Sequence, residues 1–367
     1  MPNIADLCAF LEAFAPARLA ADWDNVGLLL GDRSAPCVRV MTCLTITPAS
    51  AAEAVDRRAS LIIAHHPIFF RPMQRLTSDT VEGAMLWRLA QAGVAVYSPH
   101  TAFDNATLGI NARLGDRLGL REIVPLRASQ ATEQCKLVIF VPMQNLNAVA
   151  DALFTAGAGH IGHYRECSFR QEGIGTFFGS EAANPTVGQK GRREEVAEYR
   201  LEAICPRDCV EAAMAAMRKA HSYEEPAYDV YPLLAKAGKE GEGRLGVLPA
   251  PVSLRQFAGL VREQLGCTFI QVCGPADRQV QRVALACGAA AEFQEDAVQA
   301  RADVFLTGEA RFHDCLSAQA HGISLVLAGH YATERFAVDE LAESIGKAFG
   351  DLEIWASERE RDPLWTV

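Results

Sequence analysis

An uncharged apolar run that stops on two histidines and a proline constrains this chain more than any other stretch: Leu61-Ile62-Ile63-Ala64, then His65-His66-Pro67. A run of this kind reads as a strand buried on both faces, as in parallel sheets covered by helices. Proline has no N–H to give to the ladder, so the strand ends there. The carboxyl ends of strands in open α/β sheets are where ligands collect. Successive side chains on a strand point to opposite faces, so both imidazoles reach one site only if the chain bends. Neutral imidazole is the commonest metal ligand. At this point, two core histidines bonded to backbone remain the alternative.

Around this run, strand and helix patterns alternate. Strands are expected at residues 38–46, 61–64, 94–97, 246–248, 280–286, 303–307 and 323–328. Helices are expected at 4–14 (with Asn3 as N-cap), 48–59, 80–93, 109–118 and 253–265. Such alternation predicts mainly parallel sheets with right-handed crossovers. The middle third changes character. Residues 136–141 alternate and read as an edge strand, followed by a helix at 145–156, strands at 169–179 and 198–204, a helix at 207–219 and a strand at 227–233. That order is the ferredoxin-like signature. Residues 237–243, charged and glycine-rich, read as a linker. The expected fold is therefore α/β: a two-part, mainly parallel-sheet core, residues 1–125 and 242–367, interrupted by an inserted ferredoxin-like α+β domain, residues 126–241.

A length of 367 residues suits two or three such parts. The formal net charge of −10 argues against a general phosphate-backbone binder, so nucleic acid is not an expected partner. Eleven cysteines without a C-x-x-C pair suit a reducing compartment, and a cytoplasmic location is expected. The opening Met1-Pro2-Asn3 stretch has no basic n-region, so no signal peptide is expected. No apolar run is long enough to cross a bilayer.

Two further strand ends repeat the chemistry of the first. One gives Ser98-Pro99-His100 with Asp104; the other opens into Gly329-His330 with Glu334 four residues on. Collected, these are His65, His66, Asp104, His330 and Glu334, with His100 in reserve. Mixed imidazole and carboxylate donors suit zinc, iron or manganese better than calcium. Five donors are too many for one catalytic ion and fit two divalent transition metal ions sharing a carboxylate. Asp22-Trp23-Asp24-Asn25 reads first as a capped turn and second as a carboxylate beside the histidines. His160, His163 and His221 read as surface or interface residues, and Glu224-Glu225 as a solvated corner. No Gly-x-Ser-x-Gly elbow is present, and Cys287 has no base assigned to it.

Asp22-Trp23-Asp24-Asn25-Val26-Gly27-Leu28, His65-His66-Pro67, His100-Thr101 with Asp104, and Gly329-His330-Tyr331 with Thr333-Glu334 resemble the NGG-one-interacting-factor-three (Nif-three-like) family. Its members are often labelled GTP cyclohydrolase I type 2 homologues. The insertion is similar to copper-tolerance and nitrogen-signalling trimers, most closely at Tyr223-Glu224-Glu225-Pro226. The resemblance implies a dinuclear metal site and a toroidal homohexamer. By position, His66 and Asp104 would hold one metal and His65 and His330 the other, with Glu334 bridging. The first reading of function is a metal-dependent hydrolase acting on a small molecule: the family label suggests opening of a nucleotide ring, and a phosphoester or cyclic amide fits the residues as well. His100 would be the general base or a substrate contact, and Glu334 the most sensitive position. A non-enzymatic metal-loaded scaffold or regulatory interaction protein is the alternative. Leu44-Thr45, Ala289 in the turn after Cys287-Gly288, Gly308-Glu309 and Ala328 depart from the family's usual residues, on the substrate side and around the ligands.

Overall fold

Strand Leu61–Ala64 is buried at every position because it is the middle strand of a five-stranded sheet. The order across that sheet is Gly27–Leu30, Ala95–Ser98, Leu61–Ala64, Arg39–Cys43 and Glu353–Ala356. All neighbours are parallel except the first pair, which is antiparallel. The strand's period of two is visible in its packing. Leu61 and Ile63 join one core with Phe103, Val304 and Leu306, whereas Ile62 and Ala64 join another with Met41, Leu89 and Val96. Burying each Leu or Ile is worth about 1.5–3 kcal/mol, so the strand is pinned from both faces and its end is fixed in space. These relationships come from a computed structural model, which describes residues 1–71, 73–129, 134–234 and 238–365.

A second, six-stranded sheet runs in the order Gln271–Cys273, Ser324–Leu327, Val304–Thr307, Gln279–Leu285, Arg244–Ser253 and Arg121–Val124. Its three middle strands, from Ser324–Leu327 to Gln279–Leu285, are parallel, and the remaining pairs are antiparallel. The two parts of the core do not complete one sheet: each half supplies most of its own. Two strands join the other half's sheet: Arg121–Val124 pairs with Arg244–Ser253, and Glu353–Ala356 pairs with Arg39–Cys43. The core described above, shared by Leu61, Val283, Val304 and Val326, joins one face of each sheet.

The core comprises Met1–Ser129 and Gly238–Val367, and the insertion comprises Gln130–Ala237. Residues 126–129 and 238–241, read from sequence as insertion, belong to the core because Arg127–Ala128 pairs with Gly241–Glu242 in a short antiparallel ribbon. Ala237, the first residue of the expected linker, lies outside the described residues.

The insertion is one antiparallel sheet in the order Tyr228–Pro232, Gln134–Val141, Arg193–Pro206 and Ser168–Phe178, with helices Leu146–Thr155 and Val210–Ala220. The strand at 136–141, expected at an edge, is interior: ferredoxin-like connectivity lays the last strand beside the first. Leu137, Ile139 and Val141 are accordingly buried against Val149, Leu153 and Met217. His221 is also corrected from the surface to the interior. It is 8% exposed, its Nε2 bonds the Phe140 carbonyl at 3.0 Å, and its Nδ1 accepts from the Tyr223 N–H. His160, His163, Glu224 and Glu225 are exposed. Among the described residues, no helix is long and apolar enough to cross a membrane.

Candidate metal centre

The carboxyl ends of the parallel strands of both sheets meet, and the chemistry of the core collects there. Beyond strand Leu61–Ala64 the ladder continues for two residues, the His65 and His66 N–H groups donating to the carbonyls of Cys43 and Leu44. Ser98 Oγ donates to the His65 carbonyl at 2.7 Å, tying this strand end to the next. The two imidazoles converge, with ring centroids 5.0 Å apart. His100 is 5.2 Å from His65, and His330, opening helix His330–Ala348, is 5.3 Å from His66.

Among the described residues, two groups of three donors lie close enough to hold a metal ion: His65, His66 and His100, and His66, His330 and Glu334. Glu334 Oε2 is 3.2 Å from the Nε2 of both His66 and His330. Asp104 Oδ1 is 3.7 Å from His65 Nε2, outside both groups of three. Side-chain proximity puts His65 beside Asp104 and His66 beside Glu334 and His330, whereas the resemblance implies His66 with Asp104 and His65 with His330 on each metal. The alternation of strand side chains explains the division, since neighbours at a strand end lean toward different partners.

His65 is 3% exposed, and neither ring nitrogen has a hydrogen-bond partner. A buried imidazole without a partner is costly, and a metal ion is what such a ring commonly ligates. Burial drives its pKa well below the ordinary 6.5, so the ring stays neutral and keeps its lone pair. The carboxylates point the same way. Asp104 is pushed up to about 7 by burial and by the charge of Glu334. Burial also acts to raise Glu334, but hydrogen bonds from His330 and His66 outweigh it and keep the group ionised. His330 rises to about 9, chiefly through its bond to Glu334 and against the effect of burial. A buried carboxylate, Glu334, and a half-buried one, Asp104, among four imidazoles form a donor set that fits divalent transition metals.

Several surrounding groups fix these donors. His66 Nδ1 lies 2.6 Å from Thr45 Oγ1, and His330 Nδ1 lies 3.3 Å from Glu309. Gly288 has φ +67°, and a Cβ there would stand 2.3 Å from Glu334 Oε1, so the turn after Gln279–Leu285 requires glycine. Cys287 Sγ donates to Asp104 Oδ1 at 3.2 Å, and burial holds the thiol far above its usual pKa.

His100 has φ +28°, in the left-handed region that imidazole side chains seldom occupy. What holds it is Asp24, whose Oδ1 is 2.7 Å from His100 Nδ1 while its Oδ2 accepts from the Thr101 N–H and hydroxyl. Burial acts to raise the Asp24 pKa, but the bonds from His100 and Thr101 prevail and bring it to about 2. The same bond raises His100 against the effect of burial. The sequence favoured a turn cap for Asp24. That role is minor beside the histidine contact, although Oδ1 does also accept from the Asn25 N–H. The sequence offers Asp24 as its second reading, a carboxylate beside the histidines, and marks Thr45 and Glu309 only as departures around the ligands; their bonds to His66 and His330 carry no local signal.

A family model, Duf34/NIF3 (NGG1p interacting factor 3), matches residues 2–363. The chain is 35% identical over 357 residues to a Halalkalibacterium halodurans protein named GTP cyclohydrolase 1 type 2 homolog, covering 96% of each. It is 34% identical over 367 residues to a Bacillus subtilis protein of the same name, covering 99% of this chain and 98% of the relative. Among solved structures, a Bacillus cereus protein related to NIF3 superposes with a TM-score of 0.76 at 34% identity, covering 100% of this chain and 99% of that one. A Staphylococcus aureus protein superposes with a TM-score of 0.85 at 26% identity and the same coverage. Fold, strand-end motifs and relatives agree, and the chain belongs to the Duf34/NIF3 family.

Proposed function

We propose that this chain is a hydrolase dependent on two divalent transition metal ions, with His65, His66, Asp104, His330 and Glu334 as ligands. The observation that carries the reading is the buried His65 ring, without a hydrogen-bond partner, beside the buried Glu334, the half-buried Asp104 and three further imidazoles. Ions bound there supply a hydrolytic nucleophile near neutral pH and polarise the bond to be cleaved. Glu334 faces both His66 and His330 and is the natural shared ligand. His100 is oriented by Asp24 through Nδ1, which leaves Nε2 to accept a proton from the nucleophile or contact the substrate. Thr101 and the Asn25 N–H hold Asp24 in turn, so the dyad is fixed before substrate arrives. The relatives' printed name suggests ring opening of a nucleotide; a phosphoester or a cyclic amide suits the same donors. We place the chain in a homohexamer, testable by light scattering.

The test is a turnover screen of zinc-, manganese- and iron-loaded protein against nucleotides, phosphoesters and cyclic amides. Activity is expected to vanish with a chelator, return with metal and survive Cys287→Ala. Activity that ignores chelators and dies with Cys287 overturns the mechanism, and a broad screen without turnover overturns the enzyme.

A further inference from the structure

We propose that the cavity over the histidine cluster takes an uncharged or cationic planar ring, stacked on Trp23 and Phe70, and excludes polyphosphates. The proposal rests on the hydrolase reading and narrows its substrate.

Trp23 and Phe70 are 62% and 61% exposed, although each is a large aromatic side chain. They come from separate segments, the acidic turn before Gly27–Leu30 and the loop after His66-Pro67, yet their ring centroids lie 5.7 Å apart. Each ring is also about one ring's reach from His100, at 6.0 and 6.2 Å. An aromatic lip therefore leads from solvent to the His100 imidazole. It opens on a cavity of about 450 Å³ that also reaches His66, His330 and Glu334. That volume suits a ring system or a nucleoside.

Charge decides which ring. Among the described residues lining this cavity are four carboxylates, Asp104, Glu242, Glu292 and Glu334, and neither lysine nor arginine. Arg244, whose charge reaches Asp104, is 1% exposed and donates to the carbonyls of Gly241, Gly243 and Ala106. On the far side of His66 and His330, a second cavity of about 540 Å³ has Arg335 as its one guanidinium among the described lining residues. Arg335 is already paired with Asp339 at 2.8 Å and Glu360 at 3.1 Å. Glu242 is already paired with Arg127 at 3.0 Å, so two divalent ions would be offset by Asp104, Glu292 and Glu334, and no lysine or arginine among the described lining residues is left to hold a triphosphate. A neutral ring meets no such opposition, and a cationic ring gains from the carboxylates and the aromatic faces.

Guanosine and GTP share a ring and differ in phosphate, so they make the test. Each is titrated into the metal-loaded full-length protein, followed by tryptophan fluorescence, with tripolyphosphate as competitor. Guanosine is expected to bind at least about tenfold more tightly than GTP, and Trp23→Leu or Phe70→Ala to weaken it by about tenfold at unchanged metal content. Glu292→Lys should narrow the gap between GTP and guanosine. GTP binding more tightly than guanosine, with tripolyphosphate competing, overturns the proposal. So does failure of guanosine, adenosine and uridine alike to bind. Turnover measured alongside separates the two readings. Guanosine bound without any turnover in the broad screen sinks the hydrolase and leaves the ring preference. Turnover that favours GTP does the reverse.

Discussion

Thr45 Oγ1 stands 2.6 Å from His66 Nδ1, and the Thr45 N–H donates at 2.6 Å to Glu360, a residue 315 positions later in the chain. Glu360 also accepts from the Leu44 N–H at 2.9 Å and pairs with Arg335 at 3.1 Å. A segment near the chain's end thus holds the residue that orients a ligand on the first sheet. A proton on Nδ1 given to the Thr45 hydroxyl leaves Nε2 directed at Glu334, the tautomer a metal needs. Thr45→Val is expected to weaken metal binding about 10-fold or more, with Thr45→Ser retaining it. Competition with a chromophoric chelator measures both; equal affinity in the valine variant refutes the role.

Metal content tests the donor set directly. Protein purified without chelators should carry close to two transition metal ions per chain by elemental analysis. The double variant His65→Ala, Glu334→Ala should lose them while keeping its circular dichroism spectrum. Full metal in that variant would remove these residues from the site.

The Asp24–His100 pair can be followed without metal. In chelator-treated protein His100 should titrate above the ordinary 6.5, because the Asp24 bond overcomes burial. Asp24→Asn should move that midpoint down, read from ring-proton shifts assigned with His100→Gln. A raised folded pKa stabilises below the unfolded value and is lost as pH rises through the folded one. The stability cost of Asp24→Asn should therefore be larger at pH about 6 than at pH about 9. A midpoint that does not move would show that the pair is not coupled.

Glu53 gives a pH signature away from the metals. It is 2% exposed and accepts from Trp355 Nε1, Ser357 Oγ and the N–H groups of Glu358 and Arg359, at 2.7–3.1 Å. Burial works to raise its pKa, and these four donors outweigh it and lower the pKa below 4.5. A depressed folded pKa stabilises above the unfolded value and is lost as pH falls through the folded one. Glu53→Gln should cost about 2–3 kcal/mol at pH 7 and less at pH 4, by urea melts of metal-free protein at each pH. An equal cost at both would mean the charge is irrelevant.

The insertion should be removable. Ala128 and Gly241 are paired across the short ribbon at its base, so a few glycines can join Ser129 to Gly238 as a hairpin turn. The joined core should bind metal as the full chain does. An insoluble or metal-free product would make the insertion part of the core's folding unit.

Much of this protein is legible locally. A charge-free run, a proline and a histidine pair fix a buried strand and the type of chemistry at its end, because burial and ligand identity are properties of short stretches. Three such ends gave the candidate donors, His65, His66, Asp104, His330 and Glu334. The order of strands and helices likewise gave the ferredoxin-like insertion. Local pattern does not report strand order between sheets, so the return of Glu353–Ala356 to the first sheet and the interior place of Gln134–Val141 came only from pairing. The pairing of donors was also beyond sequence. His65 with Asp104 and His66 with His330 is set by the direction in which each side chain leaves its strand end. The groups that hold the ligands lie furthest from view: Asp24 reaches His100 across 76 residues, and Glu360 reaches Thr45 across 315. A hydrogen bond leaves no periodicity in sequence when its partners meet only because distant segments of the chain pair as neighbouring strands of one sheet. The sequence therefore determined which atoms can bind, and the tertiary structure decided which of them meet and what holds them there.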